Sequence, residues 1–486
     1  MNIMNYFREK ISDWLKIEPS MQGGVSIVET YDHPTGVFIN KIWYRGDARE
    51  LSQLYHQLDI GEETFWHSDC STGQDMRKIH TGLPRLMVNA LANISIDDLS
   101  SIEFDKKEDK ILWEQIEKEN AYIKQLKNAT KNVLALGDGA FKISFDYNIS
   151  NYPIVEFYTA DDVEYKYEHG RIREIVFYTR YENKDKRKTY TLQETYGYGY
   201  IKYKLIDENN KELLLTDIPE TRELEDVEFD KSLMFAVPYK IYDSEKFYGR
   251  GQSIFEGKTD SFDALDEAFS QWMDALRTGK TKTYIPESLL PRDPTNGNIK
   301  KYNPFDTRYI TTGNDLSEHG TNQITTTTSN IPVDVYVQTY CTALDLCLQG
   351  IISPSTLGID VKKMDNGEAQ REKEKMTLYT RNAIISAATE VIENTIVKCF
   401  NMLQLQHGGA LKDIVGRFSF GEYANPSFES VVETMSNPNT PMSIDAKVEE
   451  LWGDSKDDEW KQEEIARIKS ERGIIEMDEP VLAPNI

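Results

Sequence analysis

Apolar residues recur every three or four positions between residues 252 and 278, and this spacing predicts one long amphipathic helix. Ser253 is a favourable N-cap, Glu256 stands at the capping-box position, and Gly279 suits the C-terminal end. The stripe consists of Ile254, Phe255, Phe262, Leu265, Phe269, Trp272, Met273 and Leu276. Acidic residues occupy much of the remaining surface: Asp260, Asp263, Asp266, Glu267 and Asp274.

Helical spacing predicts further helices on both sides of this one. The expected segments are 78–95, 108–136, 332–349 and 367–406, and an aromatic turn within 36–58 is expected to lead into another. Pro84 suits the first turn of the first of these helices. We expect the helix over 332–349 to lie beside the helix over 252–278.

Residues 153–246 are rich in tyrosine, valine, isoleucine and threonine, and turn signals recur along them, which predicts an antiparallel sheet of several strands. Gly197 and Gly199 are expected to mark a tight turn. A small β module within 279–331 is expected to separate the two neighbouring helices. A strand within 411–434 is expected to return to the β region. The sequence therefore belongs to the α+β class.

Two Gly-Lys-Thr triplets, at 257–259 and 279–281, match the end of a nucleotide-binding loop. Such a loop needs a glycine five positions before the glycine of the triplet, so that successive backbone N–H groups surround a phosphate. Those positions hold Gln252 and Asp274. Because neither triplet follows a hydrophobic strand, a place on a helix surface and at a helix C-terminus is favoured over phosphate binding.

The 486 residues include 81 acidic and 56 basic side chains, which give a formal net charge of −25. Proteins that hold nucleic acid by its phosphates are normally basic, so a conventional DNA-binding domain is excluded. An acidic wall would instead repel DNA and let it slide without sticking. Simple solubility explains the charge as well, and composition does not separate the two explanations.

The sequence assembles no catalytic, cofactor or metal site. The seven histidines are scattered, and the four cysteines lack metal-ligand spacing. No apolar run is long enough to span a membrane, and residues 1–15 do not have the pattern of a signal peptide. We therefore expect a protein without enzymatic activity that stays in the compartment where it is made.

Five motifs occur in a specific order along the chain. They are 42–47 (Ile-Trp-Tyr-Arg-Gly-Asp), 83–85 (Leu-Pro-Arg), 248–256 (Tyr-Gly-Arg-Gly-Gln-Ser-Ile-Phe-Glu), 265–270 (Leu-Asp-Glu-Ala-Phe-Ser) and 351–358 (Ile-Ile-Ser-Pro-Ser-Thr-Leu-Gly). With this order the chain resembles the portal proteins of tailed bacteriophages with long non-contractile tails. The resemblance extends from about residue 36 to about residue 475 and rests on the collinear set, since no single motif decides it.

The resemblance implies a portal-type α+β fold with five parts. A wing of helices and antiparallel strands would comprise 1–251 and 367–436. The others would be a helical stem of 252–278 and 332–349, a small β clip of 279–331, a tunnel loop of 350–366 before a long helix, and a helical crown of 437–486.

The implied function is a ring, usually of twelve subunits, that forms a channel at one capsid vertex. Double-stranded DNA would pass through it during packaging and ejection, and the ring would join head to tail. The implied partners are a terminase that supplies ATP hydrolysis, a head–tail adaptor, and the major capsid and scaffolding proteins, with no membrane. The protein would reside in the virion, and in the host cytoplasm during assembly.

The resemblance also implies which residues face DNA. In the tunnel loop they are Thr356, Asp360, Lys362 and Lys363, and the two lysines are the best candidates for transient phosphate contact. An ordinary solvated loop explains the two lysines equally well. Acids of the stem helices would line or flank the channel: Asp263, Asp266, Glu267, Asp274, Asp334 and Asp345.

Two alternatives belong to other functional classes. A nucleotide-binding enzyme that uses the Gly-Lys-Thr triplets would bind ATP and lose binding on Lys258→Ala or Lys280→Ala. A capsid or adaptor component that does not contact DNA would tolerate deletion of the tunnel loop.

Overall fold

The structure is a computed structural model of the full chain, which divides into two compact units, Met1–Phe420 and Gly421–Ile486. It describes residues 17–19, 26–28, 31–58, 64–68, 76–97, 99–183, 188–286, 289, 309–312, 323–327, 331–359, 367–407, 416–420, 443–444, 446–448 and 458–471.

Helices and antiparallel strands alternate in long blocks, which confirms the α+β class. The helices are α1 (His33–Arg45), α2 (Ala48–Leu58), α3 (Leu83–Ile96), α4 (Lys107–Asn120), α5 (Tyr122–Leu136), α6 (Thr259–Thr278), α7 (Val333–Leu348), α8 (Gly367–His407) and α9 (Asp458–Glu471).

The strands before the large sheet are β1 (Ile17–Pro19), β2 (Ser26–Val28), β3 (Leu99–Phe104), β4 (Asp138–Ser144) and β5 (Ile154–Thr159). The sheet itself contains β6 (Val163–Glu168), β7 (Arg171–Asn183), β8 (Lys188–Gly197), β9 (Tyr200–Asp207), β10 (Glu212–Leu213) and β11 (Val227–Glu228). The remaining strands are β12 (Ala236–Lys240), β13 (Lys282–Pro286), β14 (Tyr309–Thr312), β15 (Thr325–Thr327) and β16 (Gly416–Phe420).

The large sheet has the order β10-β9-β8-β7-β6, with β11 added on β9, and every pairing in it is antiparallel. This confirms the antiparallel region predicted from residues 153–246. Gly199 lies in the turn between β8 and β9 with φ +85°, and its N–H donates to the Leu233 carbonyl oxygen over 2.9 Å, as expected for a tight turn. A second antiparallel sheet has the order β12-β4-β5.

One helix was predicted over 108–136, but the structure has two, α4 and α5. Ala121 interrupts them with a left-handed backbone at φ 48°. The neighbouring Asn120 explains the break, because its side-chain amide donates to the Pro153 carbonyl oxygen over 2.9 Å and its Oδ1 accepts from the Val155 N–H over 2.8 Å. A contact from a distant strand therefore overrides local helical periodicity.

The strand predicted within 411–434 exists as β16, but it pairs with β3 and not with the large sheet. The strands predicted within 279–331 are present as β13, β14 and β15. β13 lies between the other two, pairing antiparallel with β15 and parallel with β14.

The helix predicted from residue 252 begins at Thr259 as α6. Ser253 is not its N-cap, because the Ser253 hydroxyl donates to the Ala135 carbonyl oxygen over 2.6 Å and accepts from the Phe255 N–H. Gly257 then turns the chain with φ +73°. The capping box proposed for Ser253 and Glu256 is therefore wrong, since the end of α5 binds this serine.

Candidate functional site in the α6–α7 pair

The helices α6 and α7 lie side by side, as predicted, and they run antiparallel. The Cys347 thiol donates to the Ser261 carbonyl oxygen over 3.2 Å, and the rings of Phe269 and Tyr340 are 5.8 Å apart. Beyond the last turn of α6, a Cβ added to Gly279 would lie 2.6 Å from the side chain of Ile331. These contacts join the start of each helix to the end of the other, so the two helices pack against each other along their whole length.

The two ends of the pair differ in burial. Near the start of α6 and the end of α7 lies an embedded half, whose buried side chains are Phe262, Asp263, Leu265, Asp266, Ser270, Leu344, Cys347 and Leu348. The outer half, residues 271–278 and 333–343, contains no buried residue. The pair is thus fixed at one end only, as far as the described residues show.

Asp263 and Asp266 were predicted to present charge to a channel, but both are buried in the chain itself. Asp263 accepts from the backbone N–H of Phe65 over 2.8 Å and of Trp66 over 3.2 Å. Burial raises the pKa of the Asp263 carboxyl above its ordinary value, although these two hydrogen bonds act in the opposite direction. The carboxylate of Asp263 therefore holds a loop in place.

Asp266 holds a second loop in the same way. Its side chain is 1% exposed and accepts from the Thr81 N–H over 2.8 Å and the Thr81 hydroxyl over 2.9 Å. The Nδ1 atom of His80 lies 2.7 Å from its other oxygen. One turn later, the Ser270 hydroxyl accepts from the Ile79 N–H over 2.9 Å. Asp263, Asp266 and Ser270 together form a polar stripe along α6. Because Asp263 and Asp266 are buried, the prediction that they face a channel is wrong.

The remaining acids of the pair are more accessible. Glu267 accepts from Gln271 over 2.8 Å, and Asp274 pairs with Arg277 over 2.6 Å one turn later. Asp334 and Asp345 on α7 are exposed. A channel-facing position for these four acids stays a prediction.

Several of the motifs singled out in the sequence meet at the base of α6. Trp43 is fully buried, with its ring 5.6 Å from that of His80 and 5.7 Å from that of Phe262. On the adjoining turn, Arg250 forms an ion pair with the buried Asp138 over 2.8 Å. These motif residues position α6 and do not expose a chemically reactive group.

Arg250 binds β4 and also the turn between β5 and β6. Besides Asp138, its guanidinium donates to the carbonyl oxygens of Ala160 over 2.9 Å and Val163 over 2.8 Å. The next residue, Gly251, donates its N–H to Asp138 over 2.7 Å, and a Cβ there would clash with the Gly137 carbonyl. The Gly-Arg-Gly motif therefore serves close backbone approach. Periodicity did not identify His80, Thr81 or Asp138, because their partners are distant in sequence.

In the structure, the two Gly-Lys-Thr triplets lie at helix ends. Lys258 donates from Nζ to the carbonyl oxygens of Leu346 over 2.9 Å and Gln349 over 3.0 Å, at the C-terminal end of α7. A lysine there satisfies carbonyl groups that a helix end leaves free and complements the helix dipole. Gly279 ends α6 with its N–H bonded to the Ala275 carbonyl oxygen, as expected for a helix C-terminus.

The predicted tunnel loop is described as far as Ile359. It contains a 3₁₀ turn, Pro354–Leu357, in which Thr356 is half-buried and lies 3.3 Å from Thr377 between hydroxyl oxygens. Asp360, Lys362 and Lys363 lie outside the described residues, so the prediction that they face DNA is not tested.

Metal ligands do not cluster in the described part of the chain, where no three His, Cys, Asp or Glu side chains come together. Cys341, Cys347 and Cys399 are free thiols. Among the described residues, no helix has the length and apolar character needed to cross a membrane.

Comparison with known proteins gave likenesses to solved structures but none to a family model or a curated sequence. A chain from a solved structure titled "Virion of native gene transfer agent (GTA) particle" aligns over 85% of this chain and 92% of its own length, with 11% identity and a TM-score of 0.37. A TM-score of this size does not show a shared fold, so nothing about this chain follows from it.

Proposed function

We propose that this chain is the subunit of a portal-type ring, which forms a channel for double-stranded DNA at a capsid vertex and joins head to tail. In that role its partners are further copies of itself, in a ring of twelve subunits. The other partners are a terminase, a head–tail adaptor, and the major capsid and scaffolding proteins. The proposal places the chain in the virion, and in the host cytoplasm during assembly. The order of the five sequence motifs supports it.

The structural observation that supports the ring is the exposed apolar surface of the outer half. Val335 is 58% exposed, Val337 39% and Leu276 38%, on helices whose other ends are buried. Exposed apolar side chains grouped on one surface often mark a contact with another protein. Contacts between different faces of identical subunits close into a ring when the rotation fits.

The anchoring of the embedded half gives this surface a fixed position. Asp263, Asp266 and Ser270 bind backbone groups of two loops, so that α6 cannot turn without breaking several buried hydrogen bonds. A rigidly held helical pair suits a subunit that must repeat the same contact around a ring. The exposed acids Asp334 and Asp345 on α7 would repel the phosphates of DNA, so that DNA could slide through a channel without sticking.

Assembly state tests the proposal directly. Native mass spectrometry and negative-stain microscopy of the purified full chain are expected to show closed rings of one size. Val335→Asp is expected to abolish rings, because it places a charge in the interface. Val227→Asp is the matched control, since Val227 is a similarly exposed valine (47%) on β11, and it is expected to leave rings intact.

A chain that stays monomeric at every concentration would overturn the proposal, and so would equal loss of rings in both variants. The proposal also assigns no ATP hydrolysis to this chain. ATP binding by the wild type that disappears in Lys258→Ala while the fold is retained would favour the enzyme alternative.

A further inference from the structure

The chain between α7 and α8 is fastened to its surroundings at several points. We call residues 349–359 the loop base. Its first residue, Gln349, accepts from Lys258 Nζ over 3.0 Å, and its Ile351 carbonyl oxygen accepts from the Thr380 hydroxyl over 2.7 Å. The side chain of Ile352 is buried in the core. The loop base therefore has a defined place against α8.

Thr377 lies at the centre of these contacts. It is fully buried on α8, and its hydroxyl oxygen accepts from the Ser353 N–H over 2.8 Å. The same oxygen lies 3.3 Å from the Thr356 hydroxyl. A threonine hydroxyl has one proton and two acceptor positions, so a single side chain can serve both partners. Thr377 thus joins the start of the loop base to its 3₁₀ turn.

The bonds at Thr377 and Thr380 are neutral hydroxyl bonds, and each contributes modestly to stability. Near the end of the loop base, Gly358 has a φ of +68°, which sets the direction in which the chain leaves the 3₁₀ turn. A segment held by a few such bonds can detach from its helix without unfolding the core.

We infer that Thr377 is a positioning residue whose hydroxyl latches the loop base onto α8. The latch fixes the place of the loop base on α8, and it does not rest on the proposed function.

Hydrogen exchange of the full chain, resolved at the Ser353 amide, tests the latch. In Thr377→Val the Ser353 N–H loses its acceptor at nearly constant side-chain shape, so its exchange is expected to become on the order of tenfold to a hundredfold faster. Thr377→Ser restores the hydroxyl and is expected to return exchange close to the wild-type rate. Unchanged exchange at Ser353 in a folded Thr377→Val variant would overturn the inference.

Thr389→Val is the matched control on the same helix. Its hydroxyl donates to the Ile385 carbonyl oxygen over 2.8 Å within α8, so its removal is expected to leave Ser353 exchange unchanged. An equal acceleration in this control would mean general loosening of α8 and would refute a specific latch.

If Thr377→Val does not fold, Thr380→Val decides the question. It removes the second hydroxyl bond and is expected to speed exchange in the loop base by a smaller factor, whereas no change would count against the latch. The measurement needs neither rings nor DNA. Failure of ring assembly therefore leaves it interpretable, and failure of the latch leaves ring assembly untouched.

Discussion

The embedded half of the α6–α7 pair buries carboxylates, whereas the outer half exposes valines. In the embedded half, Asp266 lies among backbone donors and is 1% exposed. In the outer half, Val335 is more than half exposed although valine is usually an interior residue. The difference teaches that the environment of each turn, and not its residue type, determines which side chains are buried. It also separates two tasks: one half fixes the pair, and the other is available for contact with another subunit.

The largest effect on folding is expected from Asp266→Ala. Removing this carboxylate leaves the Thr81 N–H without its acceptor and deprives His80 of its partner inside the core. Buried donors without a partner are costly, so the free energy of unfolding is expected to fall by roughly 3 kcal/mol or more. Urea denaturation measures it.

Glu267→Ala is the control for this prediction, because Glu267 is only half-buried and bonds to Gln271 on the same helix. Its effect is expected to stay within about 0.5 kcal/mol. Similar losses in the two variants would erase the distinction between anchoring acids and surface acids on α6.

A smaller loss of stability is expected from Lys258→Met. The methionine keeps most of the alkyl stem but leaves the carbonyl oxygens of Leu346 and Gln349 to water, since this contact is exposed. The free energy of unfolding is expected to fall by roughly 1 kcal/mol. Lys280→Met, at the second triplet, is the control with no expected change. A larger loss in the control would contradict a capping role specific to Lys258.

Substitutions in the outer half are expected to change the free energy of unfolding very little. Val335→Ser removes an exposed apolar side chain, so the free energy of unfolding of the monomer is expected to change by less than about 0.5 kcal/mol. Ring assembly is expected to weaken in the same variant, because the valine would be covered only between subunits. A large loss of monomer stability would show that Val335 packs within its own chain.

Periodicity predicted the existence and pairing of α6 and α7, because one apolar stripe on each helix determines which sides meet. It did not predict where α6 begins, since Ser253 is bound by the Ala135 carbonyl oxygen more than 100 positions earlier in the chain. Local residue types gave no sign of that contact.

Sequence reasoning also misjudged the buried acids, although one signal was present. Asp263, Asp266 and Ser270 are spaced by three and four positions, and each directly follows a member of the apolar stripe, namely Phe262, Leu265 and Phe269. Polar residues at this spacing beside an apolar stripe share its buried flank. The partners of these acids remained hidden, because the loops at 65–66 and 80–81 lie nearly 200 residues away.

The smallest expected effect is a change in pH dependence at Asp263. Burial raises the pKa of its carboxyl in the folded chain above the unfolded value. The folded state therefore binds more protons than the unfolded state between those two pKa values, and the contribution of Asp263 to stability falls as pH rises through that interval. Above the interval the contribution is constant and at its lowest.

Asp263→Asn removes this titration while keeping one oxygen for the Phe65 or Trp66 amide. The wild type minus variant difference in the free energy of unfolding is therefore expected to shift in favour of the wild type when the pH is lowered from 7 to about 4. Urea denaturation of both proteins at the two pH values measures this shift. Taking the difference between the two proteins cancels the contribution of the other carboxyl groups to the pH dependence. A shift in favour of the variant would mean that hydrogen bonds to Phe65 and Trp66 outweigh burial, and that Asp263 anchors its loop mainly as an ionised group.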